Sequence, residues 1–169
     1  TDRLTRDLLD FLSGREAGHI VEFSTYMTGE LFAALSEHTI LARLMDGRAF
    51  DAEGFARGLA ASKDGGLLGR LFSARTLGLF DRLAATAIAS YLSGLLIGHE
   101  IREARAALGV RLGAGATLPE IGIIGRHDLA DAYRRALAAT GLAAREAPAA
   151  TTAGGLLAIA RAAGLLKGP

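Results

Sequence analysis

Three short stretches of this chain set glycine or a small polar residue where a helix begins: Thr28-Gly29-Glu30, Gly125-Arg126 and Gly154-Gly155. At a helix start the first N–H groups lack intrahelical partners and the dipole end is positive, so such turns suit an anion or a sugar hydroxyl. Glycine lets a ligand reach the backbone. Glu30 in a first turn is also favoured by the dipole by about 0.3–1 kcal/mol, so a local role fits it as well as a ligand role. Two strand-to-helix turns of this kind amount to half of a phosphotransfer site.

Other chemistry is thinly represented. The chain has no Gly-Lys-Ser/Thr phosphate loop, no His-Glu-x-x-His, no Gly-x-Ser-x-Gly and no carboxylate-rich calcium loop. His19, His38, His99 and His127 are scattered. His38 and His99 fall on helix faces and are expected to be satisfied structural groups, and no metal site is expected. Lys63 and Lys167 both stand beside glycine in apparent loops, which disfavours Schiff-base chemistry of an aldolase.

Composition narrows the classes further. A chain of 169 residues fits one domain with a real core; half of it is apolar and only 6% aromatic, which favours closely packed helices. Nineteen basic against eighteen acidic residues leave a net charge of +1, without the basic run that nucleic acid would require. The absence of cysteine excludes disulfides and thiolate sites and fits a cytoplasmic protein. The most apolar run, Ala84 to Gly98, is shorter than the ~20 residues of a membrane span and reads as a buried helix. Charges in Thr1 to Gly14 argue against a signal peptide. The missing initiator Met suggests a trimmed chain.

The elements that must position these residues follow from periodicity. Leu4, Leu8, Leu9 and Leu12 predict a helix over 3–13, and alternation from His19 to Met27 predicts a strand. Thr28 is the expected N-cap of the next helix, Asp51 of a short one through Phe55 and Leu59, Asp128 of one closed by Thr140-Gly141, and Thr152 of the last. Leu67 to Phe72 opens another helix, and Ala84 to Leu108 should form the longest, with Ile88, Tyr91, Leu92, Leu95, His99 and Arg102 along one stripe. Gly94 and Gly98 inside it each cost about 1 kcal/mol relative to alanine, which points to close approach of another backbone. His99 and Glu103 lie one turn apart and could pair. Residues 113–118 read as a connector, 120–124 as a short apolar strand, and 142–147 as a further one.

Five stretches carry a resemblance: "FSTYMTGELFAALSEHTIL" (23–41), "LFSARTLGLF" (71–80), "YLSGLLIGHEIREA" (91–104), "IIGRHDLADAYRRAL" (123–137) and "AGGLLAIARAAGL" (153–165). In this order they resemble the C-terminal half of the 2-dehydro-3-deoxygalactonokinase family, over about residues 19 to 166. The resemblance implies an α/β fold, a ribonuclease-H-like domain of the sugar kinase and actin type, helix-rich with a small central sheet. It implies residues 19–169 as the C-terminal nucleotide-binding kinase domain, with residues 1–18 a helix of uncertain placement. The implied reaction moves the γ-phosphoryl group of ATP, with Mg²⁺, to the terminal hydroxyl of 2-dehydro-3-deoxygalactonate.

On that resemblance Gly125, Arg126, Leu129, Gly154 and Gly155 lie on the nucleotide side, while Thr28, Glu30 and Arg75 fall in motifs on the substrate side. The catalytic base is expected on the N-terminal domain, with its Asp-x-Gly-Thr-Thr hairpin, which this chain lacks; that domain is the expected partner, and a second copy of the chain stays open. The sequence departs from the family where a Pro-Gly-Thr-His stretch is expected before His19, and at Ala132, where an arginine is expected. The rival reading is a non-enzymatic interaction domain that docks through the Gly94/Gly98 helix.

Overall fold

The computed structural model describes residues 24–112 and 120–165. They divide between two compact units, residues 25–112 in one and Ser24 with residues 120–165 in the other. The helix expected over 3–13 and the connector at 113–118 lie outside the described residues. So does most of the strand expected over 19–27, and its remainder, 24–27, belongs to no strand.

The first unit is helical. It contains α1 (Thr28–His38), α2 (Ala52–Ala61), α3 (Leu67–Leu79) and α4 (Ile88–Leu112), with 3₁₀ turns at Ala42–Leu44 and Ala85–Ala87. Its core is the first half of α4, where Ile88, Leu92 and Leu95 are fully buried. Leu31, Phe32 and Leu35 of α1, and Ala74, Leu71 and Leu77 of α3, close over that core. Full burial of one such aliphatic side chain stabilises by about 1.5–3 kcal/mol, so α4 is the element on which the unit depends.

Helix α2 crosses α4 at a distance that only glycine permits. A Cβ on Gly58 would strike the Tyr91 carbonyl, one on Gly94 the Phe55 carbonyl, and one on Gly98 the Ser62 hydroxyl. The close approach inferred from Gly94 and Gly98 is therefore real. Asp51 caps α2 as expected, its Oδ1 accepting from Gly54 N at 2.5 Å, and its own N–H donates to Ser90 Oγ at 2.8 Å.

Three expected caps are corrected. Met27, Arg126 and Ala150 occupy the N-cap positions where Thr28, Asp128 and Thr152 were expected, none with a side-chain cap bond. Thr28 and Asp128 instead lie in their helices' first turns, and Thr152 is the second residue of its helix. Asp128 is drawn away by a charged neighbour, since it pairs with the Arg126 guanidinium. No helix among the described residues is long and apolar enough to cross a membrane.

The second unit is a single β-α-β crossover followed by a helix: β1 (Ile121–Ile123), α5 (His127–Ala139), β2 (Ala144–Glu146) and α6 (Thr151–Ala162). The strands are parallel, pairing Ile121 with Ala144, Gly122 with Arg145 and Ile123 with Glu146. Parallel pairing demands a crossover, and α5 supplies it. Ala130, Ala132, Ala136 and Leu137 form its buried face. Ala132 is thus a small packing residue where the family resemblance led to an arginine. Gly141, at φ +74°, ends α5, with Leu142 N bonded to Leu137 O at 3.0 Å, the left-handed closure expected at Thr140-Gly141.

Candidate functional site

In a parallel sheet the carboxyl ends of the strands are where the chain turns into helices and where ligands gather. Here that edge is built from the exits of β1 and β2. Glu146 closes β2 beside Ile123, the last residue of β1, and Ile123, Ile124, Gly125 and Arg126 lead into α5. The first residue of α5, His127, places Nδ1 3.1 Å from Glu146 Oε1 and so ties the start of the helix to the end of the neighbouring strand.

The hydrogen bond to Glu146 raises the His127 pKa above the ordinary imidazole value. Arg126 binds Asp128 through two parallel contacts, Nε to Oδ1 and Nη2 to Oδ2, each 2.8 Å, and this holds the Asp128 carboxyl below its usual range. One turn on, Asp131 accepts from Arg135 Nε at 2.6 Å and from Arg134, which lowers its pKa in turn. Apart from the half-buried Asp131 these groups are exposed, and such pairs contribute little to stability. They instead set where charge stands along the edge.

The glycines assigned to the nucleotide side are bare. Beyond the adjoining residues and the helix's own backbone, no described atom lies within 4 Å of where a Cβ on Gly125, Gly154 or Gly155 would stand. The two α6 glycines fall just past the first turn, since the helix starts at Thr151 and Gly154 N makes its first i→i−4 bond to Ala150 O at 2.8 Å. Ile124 and Leu129, on either side of Gly125 along the chain, are exposed. Open backbone with apolar side chains nearby can receive a flat apolar ring or an anion.

The His127–Glu146 pair escaped the sequence reading. Its signal is the parallel register, which sets the residue ending one strand beside the turn leaving the other, and register is not visible until both strands are known.

In the first unit, Thr28 and Glu30 share the first turn of α1, Thr28 half-buried and Glu30 exposed. Arg75 lies on α3, half-buried, and no described hydrogen bond or ion pair joins it to either. A hollow of about 330 Å³ opens at the far end of α1, lined by Glu37, His38, Thr39, Ile40, Ala42 and Arg43, none of them an expected site residue. Among the described residues no group of three or more His, Asp or Glu side chains lies close enough together to hold a metal ion.

The model of one protein family, 2-keto-3-deoxy-galactonokinase, matches residues 14–159. This chain belongs to the 2-keto-3-deoxy-galactonokinase family. Within that family it is 37% identical over 150 residues to the Rhizobium meliloti (strain 1021) protein named "Probable 2-dehydro-3-deoxygalactonokinase DgoK1", a match covering 83% of this chain and 45% of the relative. It is 31% identical over 91 residues to the 2-dehydro-3-deoxygalactonokinase of Escherichia coli (strain K12), covering 53% of this chain and 31% of that one.

Among solved structures it resembles the crystal structure of a candidate 2-dehydro-3-deoxygalactonokinase from Sinorhizobium meliloti, with a TM-score of 0.67 and 34% identity over 83% of this chain and 46% of that one. The chain therefore spans less than half the length of the galactonokinase relatives it matches. Its described residues are helix-rich with a small two-stranded parallel sheet.

Proposed function

We propose that this chain is the nucleotide-side part of a sugar-acid kinase that moves the γ-phosphoryl group of ATP, with Mg²⁺ as its ion, to 2-dehydro-3-deoxygalactonate. The family match over residues 14–159 carries the reading. The parallel crossover supports it, because the two strand exits, the open Gly125 turn at the start of α5 and the uncovered Gly154-Gly155 surface of α6 suit a nucleotide. On this reading residues 19–169 form a ribonuclease-H-like domain of the sugar kinase and actin type. Gly125, Arg126, Leu129, Gly154 and Gly155 face the nucleotide, and Thr28, Glu30 and Arg75 face the sugar acid.

Phosphoryl transfer depends on positioning and on charge stabilisation around the phosphates. The described residues hold neither a phosphate-cradling hairpin nor a metal cluster, so the complementary half of the kinase supplies the rest, and these 169 residues alone bind ATP feebly and turn nothing over. Titration of the purified chain with ATP, followed by amide NMR, should shift the signals of residues 124–129 and 151–157. An ADP-release assay with 2-dehydro-3-deoxygalactonate should stay at background. Shifts confined to other residues would overturn the nucleotide-side assignment, and measurable turnover would overturn the division of labour.

A further inference from the structure

His99 is the buried titratable group for which the proposed kinase chemistry has no use. It lies on α4, 8% exposed, and its Nε2 is sealed from solvent without a hydrogen-bond partner. The pairing with Glu103 suggested by spacing does not satisfy it. A buried polar atom without a partner is rare and asks for a reason.

The surroundings supply one. Gly98, the residue before His99, packs against Ser62 at the end of α2. One turn further along α4, the Arg102 guanidinium donates to Ser62 O and, at 3.4 Å, to Gly65 O. From the first turn of α3, Arg70 Nε donates to Asp64 O at 2.7 Å. Two permanent cations therefore hold the carbonyls of the 62–65 turn that joins α2 to α3, and His99 directly follows the glycine packed on Ser62 and precedes Arg102 by one turn of α4.

We infer that His99 is an acid-sensitive lock on this junction: neutral, it lets α2, α3 and α4 close around the 62–65 turn; protonated, it forces them to loosen. The cation carries N–H at both ring nitrogens, so Nε2 would hold a buried donor with no acceptor, inside the repulsion of Arg102 and Arg70. Glu103 opposes this, but burial together with the two arginines outweighs it, leaving the imidazole below its ordinary pKa. Because Nε2 is sealed, the proton reaches it only when the helices packed around it part, which links protonation to motion.

The test is amide hydrogen exchange of residues 62–70 in the whole chain, corrected for intrinsic rates, together with NMR titration of the His99 ring. Acidification from about pH 7.5 to 5.0 should raise the opening of this segment by roughly tenfold or more, with the ring titrating below about 6.5. His99→Leu should flatten the response. If that variant does not fold, Arg70→Gln decides, since removing one repelling charge should raise the His99 midpoint and shrink the response. A flat wild-type profile, an unchanged response in His99→Leu, an unmoved midpoint in Arg70→Gln, or a His99 midpoint at or above the ordinary value would each overturn the lock.

Discussion

Gly94 of α4 and Phe55 of α2 meet backbone to backbone: a Cβ at Gly94 would fall against the Phe55 carbonyl oxygen and 3.1 Å from Leu59 N. Neither neighbour is the flexible end of a side chain, so neither can swing aside. Gly94→Ala should therefore destabilise the chain by about 1–3 kcal/mol despite the better helix propensity of alanine, because overpacking outweighs the ~1 kcal/mol that propensity returns. Urea unfolding followed by circular dichroism measures the balance; a variant as stable as the parent would show that the helices can part at no cost.

Asp51 holds the start of α2 in two directions, capping Gly54 N with its carboxylate and reaching Ser90 Oγ with its own N–H. Asp51→Ala removes the first link and leaves the second. The expected loss is about 0.5–2 kcal/mol, the usual worth of an N-cap, and Asp51→Asn should recover most of it because the amide oxygen still accepts. Thermal unfolding of the two variants side by side separates the cap from the charge.

Much of the first unit could be read from spacing. The α4 stripe of Ile88, Tyr91, Leu92, Leu95 and His99 is buried, and the glycines within it are explained by the crossing of α2. Asp51 was legible because a capping residue before an apolar period has few alternatives. Thr28, Asp128 and Thr152 were misread for a common reason: in each case the helix begins one or two residues earlier than its best capping side chain. The strands at 121–123 and 144–146 were legible, but their parallel register was not, and with it the meeting of His127 and Glu146 stayed hidden. The unpartnered Nε2 of His99 is not legible in the sequence, because a helical wheel shows which face is buried and not whether a ring nitrogen finds a partner there.

The His127–Glu146 tie should have a pH dependence of definite sign. The folded His127 pKa lies above its unfolded value, so its contribution is fully present below about 6.5 and fades as pH rises through the folded value. Glu146→Gln keeps a hydrogen-bond acceptor but removes the charge, and should lower the His127 midpoint. NMR titration of the His127 ring in both proteins reads this directly; equal midpoints would mean that the pair does not persist in solution.

Three helices end in the same left-handed closure. Gly141 and Gly164 occupy the turn after α5 and α6, at φ +74° and +69°, while after α3 the same position holds Asp81 at φ +52°, with Arg82 N bonded to Leu77 O at 2.8 Å. An L-residue in this region is strained, aspartate less than most, and glycine is not. Asp81→Gly should stabilise by about 0.5–1 kcal/mol, the relief of strain exceeding the added freedom of the unfolded chain. Denaturant midpoints at constant slope check it, and a loss of stability would mean that the exposed carboxylate makes an interaction worth more than the strain.

Gly154 and Gly155 join stability to the proposed function. Both lie within α6, where glycine is less favourable than alanine by about 0.8–1 kcal/mol, and no described atom stands where a Cβ would go. Packing among the described residues gives no reason for either glycine, and on the proposed nucleotide-side reading an external group lying on the helix surface would supply one. Gly154→Ala and Gly155→Ala should each stabilise the chain by somewhat under about 1 kcal/mol while weakening the ATP-induced NMR shifts of residues 151–157 several-fold. Opposite movement of the two readouts is the expected signature. If both variants gain stability and bind ATP as the parent does, α6 does not face the nucleotide.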